Sequence, residues 1–139
     1  MARSNRRKSR DEVLEYFANR YAEEGTAAGR LVERRVIGVN AGANGYTTLA
    51  QADQLVEALE LTPKSRLLDL GSGRGWPGLH VAARAECRVV LTDVPEAAVR
   101  SAQRRSADAP DQVSVVRASA THLPFAARSF DAICHTDTL

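Results

Sequence analysis

Cysteine is scarce in this chain of 139 residues: Cys87 and Cys134 have neither CxxC spacing nor a neighbouring histidine pattern of the kind that holds zinc. Two reduced, buried thiols in a cytoplasmic protein are the expectation, and no metal site is expected. Long apolar runs are missing as well. No stretch approaches the roughly 20 residues that span a bilayer. The basic start lacks the apolar segment of a secretory signal, so no membrane partner is expected. Charge of one sign is also lacking, since 19 Lys and Arg face 17 Asp and Glu for a formal net charge of +2. That is too little to imply a polyanionic partner. The one imbalance is "MARSNRRKSR", with five basic residues and no acid. It reads as a solvated tail over 1–10, and nucleic acid is not expected as a partner.

What is present is an ordinary globular composition, 44% apolar and 26% charged, at a length that can bury a core. Residues 11–24 carry Val13, Phe17 and Tyr21 at spacings of four, which predicts an amphipathic helix stopped by Gly25. A second helical stretch places Leu31, Val32 and Val36 on one face and ends at Gly38. "NAGANGY" follows as a turn-rich linker. "TTLAQADQLVEALEL" predicts a third helix, with Thr48 and Gln51 as a capping box and Ala52, Leu55, Val56 and Leu59 as its buried stripe. Residues 11–61 thus form an N-terminal helical extension.

From Pro63 the texture changes, and 62–139 reads as a second unit. "RLLDLG", "RVVLTD", "QVSVVRA" and "FDAICHT" are short apolar runs suited to parallel strands. Between them, "PGLHVAARA" and "PEAAVRSAQRRSA" are helical, with Pro77 and Pro95 at their first turns. The class is α/β, with a Rossmann-like parallel sheet covered by helices on both faces.

"LLDLGSGRGWPG" carries the chemistry. Gly71, Gly73 and Gly75 lie between a strand and a helix, where bare backbone lets a ligand approach. Asp93 ends the second strand, where a carboxylate can accept both hydroxyls of an adenosine ribose. Together they point to a nucleoside-containing cofactor. The dinucleotide pattern would need glycine where Trp76 stands. Asp69, just before the first glycine, would repel a pyrophosphate and suit a cationic cofactor.

"LLDLGSGRG", followed by "ASATHLPFAARSFDAI", resembles the class I S-adenosylmethionine-dependent methyltransferases across residues 63–139. The resemblance implies S-adenosyl-L-methionine as cofactor and methyl transfer to a small-molecule acceptor. Asp69, Gly71, Ser72, Gly73 and Gly75 would then surround its methionine part. Asp93 would hold the ribose, Val94 would pack on the adenine face, and Ser119 and Ala120 would meet the adenine edge. Ser119 stands where many members carry Asp. Tyr46 would either fold over the cofactor as a lid or pack the N-terminal helices onto the sheet. Trp76 is expected in the core or an interface rather than on the cofactor.

Methyl transfer needs mostly alignment. His135 and Asp137, just past the fourth strand, are the candidates for any catalytic base. His80 and His122 read as helix-surface and loop residues. The family's sheet has seven strands, and this sequence supplies strands one to four, expected in the order 3-2-1-4. The fold is therefore expected to be incomplete, with one sheet face incompletely covered and the fourth strand an exposed edge open to self-association. A catalytically silent S-adenosylmethionine-binding or protein-interaction module is the alternative. Nucleic-acid methylation rests only on the basic tail.

Overall fold

The computed structural model describes residues 8–23 and 25–138, so most of the basic tail, Glu24 and Leu139 lie outside the described residues. Three helices come first, each started by a side chain that satisfies a free amide at its end. Helix α1 (Arg10–Ala22) begins at Ser9, whose hydroxyl accepts from the Glu12 N–H while Glu12 accepts from the Ser9 N–H. Helix α2 (Ala27–Ile37) is capped by Thr26 and stopped by Gly38, whose φ of 94° a side chain would resist. Helix α3 (Leu49–Leu59) uses the expected Thr48–Gln51 box.

The remainder alternates as predicted: β1 (Arg66–Leu70), α4 (Gly78–Ala85), β2 (Arg88–Asp93), α5 (Glu96–Arg105), β3 (Val113–Arg117) and β4 (Ala132–His135). The four strands are parallel and lie in the order β3-β2-β1-β4. Register sets Leu67, Val89 and Val113 in one row with Ala132, and Asp69, Leu91 and Val115 in the next with Cys134. Val81, Ala82 and Ala102 pack on these rows with Leu55, Val56 and Leu59 of α3 at the margin. Ala52 is buried as expected, whereas those other three stripe residues are only half-buried.

The alternation of strands and helices suggested cover on both faces, with one face left incomplete by the missing later elements. In the structure the helices of this core, α3, α4 and α5, lie on one face. The other carries Leu68, Val90 and, at the β4 edge, Ile133, which is 57% exposed. The apolar side of α2 is also outward, since Leu31, Val32 and Val36 are exposed and Ile37 alone is buried. Among the described residues no helix is long and apolar enough to cross a membrane. Both cysteines are free and buried.

The turn after β1 is stitched from beneath. Proline at its first turn was expected to open α4, but Pro77 is its N-cap and supplies no side-chain cap bond. Asp69 substitutes: its Oδ2 accepts from the Gly78 N–H at 3.0 Å, placing a carboxylate at the helix start. Strand parity explains this position, because Asp69 points to the same helix-covered face as Leu67. The Thr92 hydroxyl donates to the Asp69 carbonyl, and the Ser72 N–H donates back to the Thr92 carbonyl. Oδ1 of Asp69 meets no N–H or O–H donor, and the Cys134 thiol is beside the carboxylate. Burial therefore pushes the Asp69 carboxyl up to about 7, with the Gly78 bond acting against the shift.

Because the folded pKa lies above the unfolded one, the native state binds the extra proton between them. Stability from this group is fully present below about pH 4 and is lost as pH rises towards 7. Asp69→Asn is expected to gain stability relative to wild type as pH increases over that window. Urea unfolding at several pH values checks this, and a constant difference would contradict it. Leu91→Ala, at a fully buried position of β2, is expected to cost about 2–5 kcal/mol in the same assay.

Candidate ligand site at the carboxyl edge of the sheet

Strands β1, β2 and β4 end on one edge, where parallel sheets bind ligands. A cavity of about 540 Å³ opens there, within the size range of small-molecule sites. Asp93 stands at its wall. Its Oδ2 accepts from the Gly73 N–H at 2.8 Å and its Oδ1 from the Val94 N–H at 2.7 Å. Burial raises its pKa, and the two amide bonds act to lower it. Each oxygen keeps a lone pair for a further donor.

Gly71, Val94, Ser119 and Ala120 line the same cavity, so the structure brings these expected residues together with Asp93. The Ser119 hydroxyl pairs with that of Thr121 at 2.9 Å and also accepts from the Thr121 N–H. Gly73 has φ +56°, and a Cβ on it would meet the Tyr21 hydroxyl at 2.7 Å. Glycine there permits both the turn and the close approach.

The opposite wall was not foreseen. Val13, Leu14, Phe17 and Tyr21 of α1 face the cavity, and α1 buries no residue fully. The stripe at spacings of four was the available signal, but periodicity cannot separate a core face from a cavity wall. Arg74 ties this helix down by donating to the carbonyls of Arg20, Tyr21 and Glu23, a cation on a helix C-terminus. Burial and the nearby Asp93 charge raise the Tyr21 pKa, so its hydroxyl stays a donor at neutral pH.

A second, smaller cavity of about 40 Å³ continues from this wall past Gly71, Ser72 and Gly73. It ends at Asn44, whose Nδ2 is buried and has no acceptor among the described residues. The Tyr21 hydroxyl lies beside that amide and interacts with it, but not at hydrogen-bond geometry for Nδ2. An unmet buried donor costs about 1–3 kcal/mol, which an arriving acceptor would relieve. Arg74 and Asp137 are the charged residues on this cavity.

Several expected residues are elsewhere. Asp69 lies beneath the turn and lines neither cavity. Gly75 backs onto Leu79 and Leu91 instead of a ligand space. Trp76 borders the small cavity, and its Nε1–H donates to the Thr47 carbonyl at 2.8 Å. Tyr46 is 83% exposed, so it packs no helix onto the sheet. It borders a separate open cleft with Gln51, Gln54 and Leu55. His80 is half-buried and bonded to Asp53 of α3 at 2.8 Å, not free on a helix surface. His122 is exposed in its loop, as expected.

His135 and Asp137 both border the main cavity but do not act as a pair. His135 Nδ1 meets the Thr138 hydroxyl at 3.2 Å. Asp137 Oδ2 accepts from the Tyr46 N–H, the Thr47 N–H and the Thr47 hydroxyl at 3.0, 3.1 and 2.7 Å. Among the described residues no group of His, Cys, Asp and Glu could hold a metal ion.

Residues 67–139 match the methyltransferase-domain family. The chain is 33% identical over 94 residues to the 27-O-demethylrifamycin SV methyltransferase of Amycolatopsis mediterranei (strain S699). That stretch is 66% of this chain and 35% of the relative, so the match spans about a third of the relative's length. A methyltransferase structure from Thiobacillus denitrificans, in complex with S-adenosyl-L-homocysteine, superposes with a TM-score of 0.57 at 24% identity. It covers 65% of this chain and 37% of that one. A Methanococcus maripaludis structure gives a TM-score of 0.63 at 14% identity over 99% of this chain and 55% of that one. At such identities these likenesses speak for the fold, and the sequence match over the sheet speaks for descent: the chain belongs to the methyltransferase-domain family.

Proposed function

We propose that this chain binds S-adenosyl-L-methionine and serves methyl transfer to a small-molecule acceptor. The observation that carries the reading is the Asp93 carboxylate. It is oriented by the Gly73 and Val94 amides and faces a cavity of nucleoside size that runs on past the glycine turn. Asp93 holds the ribose hydroxyls, Val94 and Ala120 cover the adenine, and the Ser119 hydroxyl meets its edge. Gly71, Ser72 and Gly73 leave room for the amino-acid end. Neighbouring carboxylates at Asp93 and Asp137 favour a positive centre over a pyrophosphate. Bound there, the cofactor supplies an electrophilic methyl group on its sulfonium.

The Amycolatopsis relative is named for a methyltransferase of a small molecule, which supports an acceptor of that kind. No described side chain at the edge is arranged as a general base, so alignment of the acceptor is the main task of the protein. Two buried free thiols fit a reducing compartment, and the cytoplasm is the place of action in this proposal.

Calorimetric titration with S-adenosylmethionine, S-adenosylhomocysteine and NAD tests the reading. Binding of the first two and not of NAD is expected, and the reverse would refute it. Asp93→Ala is expected to weaken binding by about 1–3 kcal/mol, roughly 5- to 150-fold. Unchanged affinity would remove Asp93 from the ribose.

A further inference from the structure

Segment 40–47 has no helix or strand, yet it is held at four places. The Arg105 guanidinium donates to the Asn40 carbonyl at 3.3 Å. The Ala43 N–H donates to Glu33 Oε1 at 2.8 Å. Trp76 donates to the Thr47 carbonyl, and Asp137 receives the three bonds from Tyr46 and Thr47. The last of these reaches across 90 residues of sequence, from the end of the sheet to the linker before α3. Gly45 allows the approach, since a Cβ on it would run into the Asp137 carboxylate. Three donors converging on one carboxylate oxygen are the strongest anchor of the four, because hydrogen bonds to a charged acceptor are about twice as strong as neutral ones.

What this segment presents inward is Asn44. Its unpartnered Nδ2 ends a cavity of about 40 Å³, room for about three waters and hence for a carboxylate group. Beside it stands the Tyr21 hydroxyl, held as a donor by its raised pKa. Arg74 and Asp137 place one positive and one negative group on the same walls, a pairing suited to a zwitterion.

We infer that Asp137 is a positioning residue: its carboxylate latches segment 40–47 across the sheet edge and so holds the Asn44 amide to receive the carboxylate of the ligand's amino-acid end. This rests on the cofactor reading above and adds to it a division of labour. Asp93 recognises the nucleoside, and the latched segment recognises the amino acid. Asp137 is then not a base, because the oxygen nearest the segment is committed to three donors.

The test compares two ligands on the full chain by calorimetry. S-adenosylhomocysteine carries the amino-acid end, and 5′-methylthioadenosine is the same thioether nucleoside without it. Asn44→Ala is expected to lower affinity for S-adenosylhomocysteine about tenfold or more and to leave methylthioadenosine unchanged. Asp137→Ala is expected to show the same selective loss. Asp137→Asn keeps an oxygen that can accept from the segment, so it should recover most of the affinity. Equal losses for both ligands in Asn44→Ala and Asp137→Ala would overturn the inference, as would no loss for either. An Asp137→Asn variant as weak as Asp137→Ala would overturn the latch, since charge and not the bonds would then matter. If Asp137→Ala does not fold, Asp137→Asn and Asn44→Ala still decide between these outcomes. Failure of wild type to bind either ligand would instead refute the cofactor reading, and this inference with it.

Discussion

The Asp69 carboxylate receives the first amide of α4, and that bond closes the loop carrying Gly71 to Gly75. Two further bonds run between β1, the turn and β2 through Thr92 and Ser72. Because the ends of both strands are locked in this way, Asp93 comes to face the Gly73 amide. The arrangement has a cost, since a carboxylate is 99% out of water with one oxygen lacking an N–H or O–H donor. The raised pKa of Asp69 is the measure of that cost. Neutral or ionised, the carboxyl under the turn accepts from Gly78, so the geometry survives whichever way the group is charged.

On this fixed edge sits a second layer that is held quite differently. Helix α1 buries no residue fully, and segment 40–47 has no regular structure. Their attachment is polar and local: Arg74 on the end of α1, Trp76 and Asp137 on the segment. Few buried apolar contacts mean a low free energy of local opening, so this layer opens far more readily than the sheet. A ligand that touches both layers would tighten the looser one in proportion to how selectively it binds the closed form. The apolar faces of Val13 and Phe17, 37% exposed each, are surface that such a ligand would cover.

Much of the sheet was legible in the sequence. The alternation of strands with helices gave the class, and the order 3-2-1-4 followed from the resemblance to the methyltransferases. Asp93 was legible because it ends a strand, and Thr48 with Gln51 because a capping box is a local pattern. Asp69 was expected around the amino-acid end of the cofactor, and its parity with Leu67 places its side chain on the helix-covered face beneath the turn. The incompletely covered face, expected from the missing later elements, is visible at Ile133, whereas Leu68 in the same row is buried. Asn44 and Asp137 could not have been paired from sequence, since no local periodicity links residues some 90 positions apart. Tyr46 illustrates the same limit from the other side. The sequence left a lid and a packing role open for this aromatic, and the structure shows its backbone N–H on the Asp137 carboxylate and its ring in solvent.

The carboxylates at the edge share one property that bears on the proposed chemistry. Asp93 holds two backbone amides, and Asp137 holds two amides and a hydroxyl. A general base must accept a proton from its substrate through a free lone pair, and the donors already bound take up part of the accepting capacity of each carboxylate. His135 is exposed, bonds only to the Thr138 hydroxyl among the described residues, and has no carboxylate to orient it. A site of this kind is built to hold shape. Methyl transfer from a sulfonium makes that demand, since placing donor and acceptor in line accounts for most of what a protein can contribute. On the proposed function, the hydrogen bonds that fix these carboxylates in place are the same ones that align the ligand.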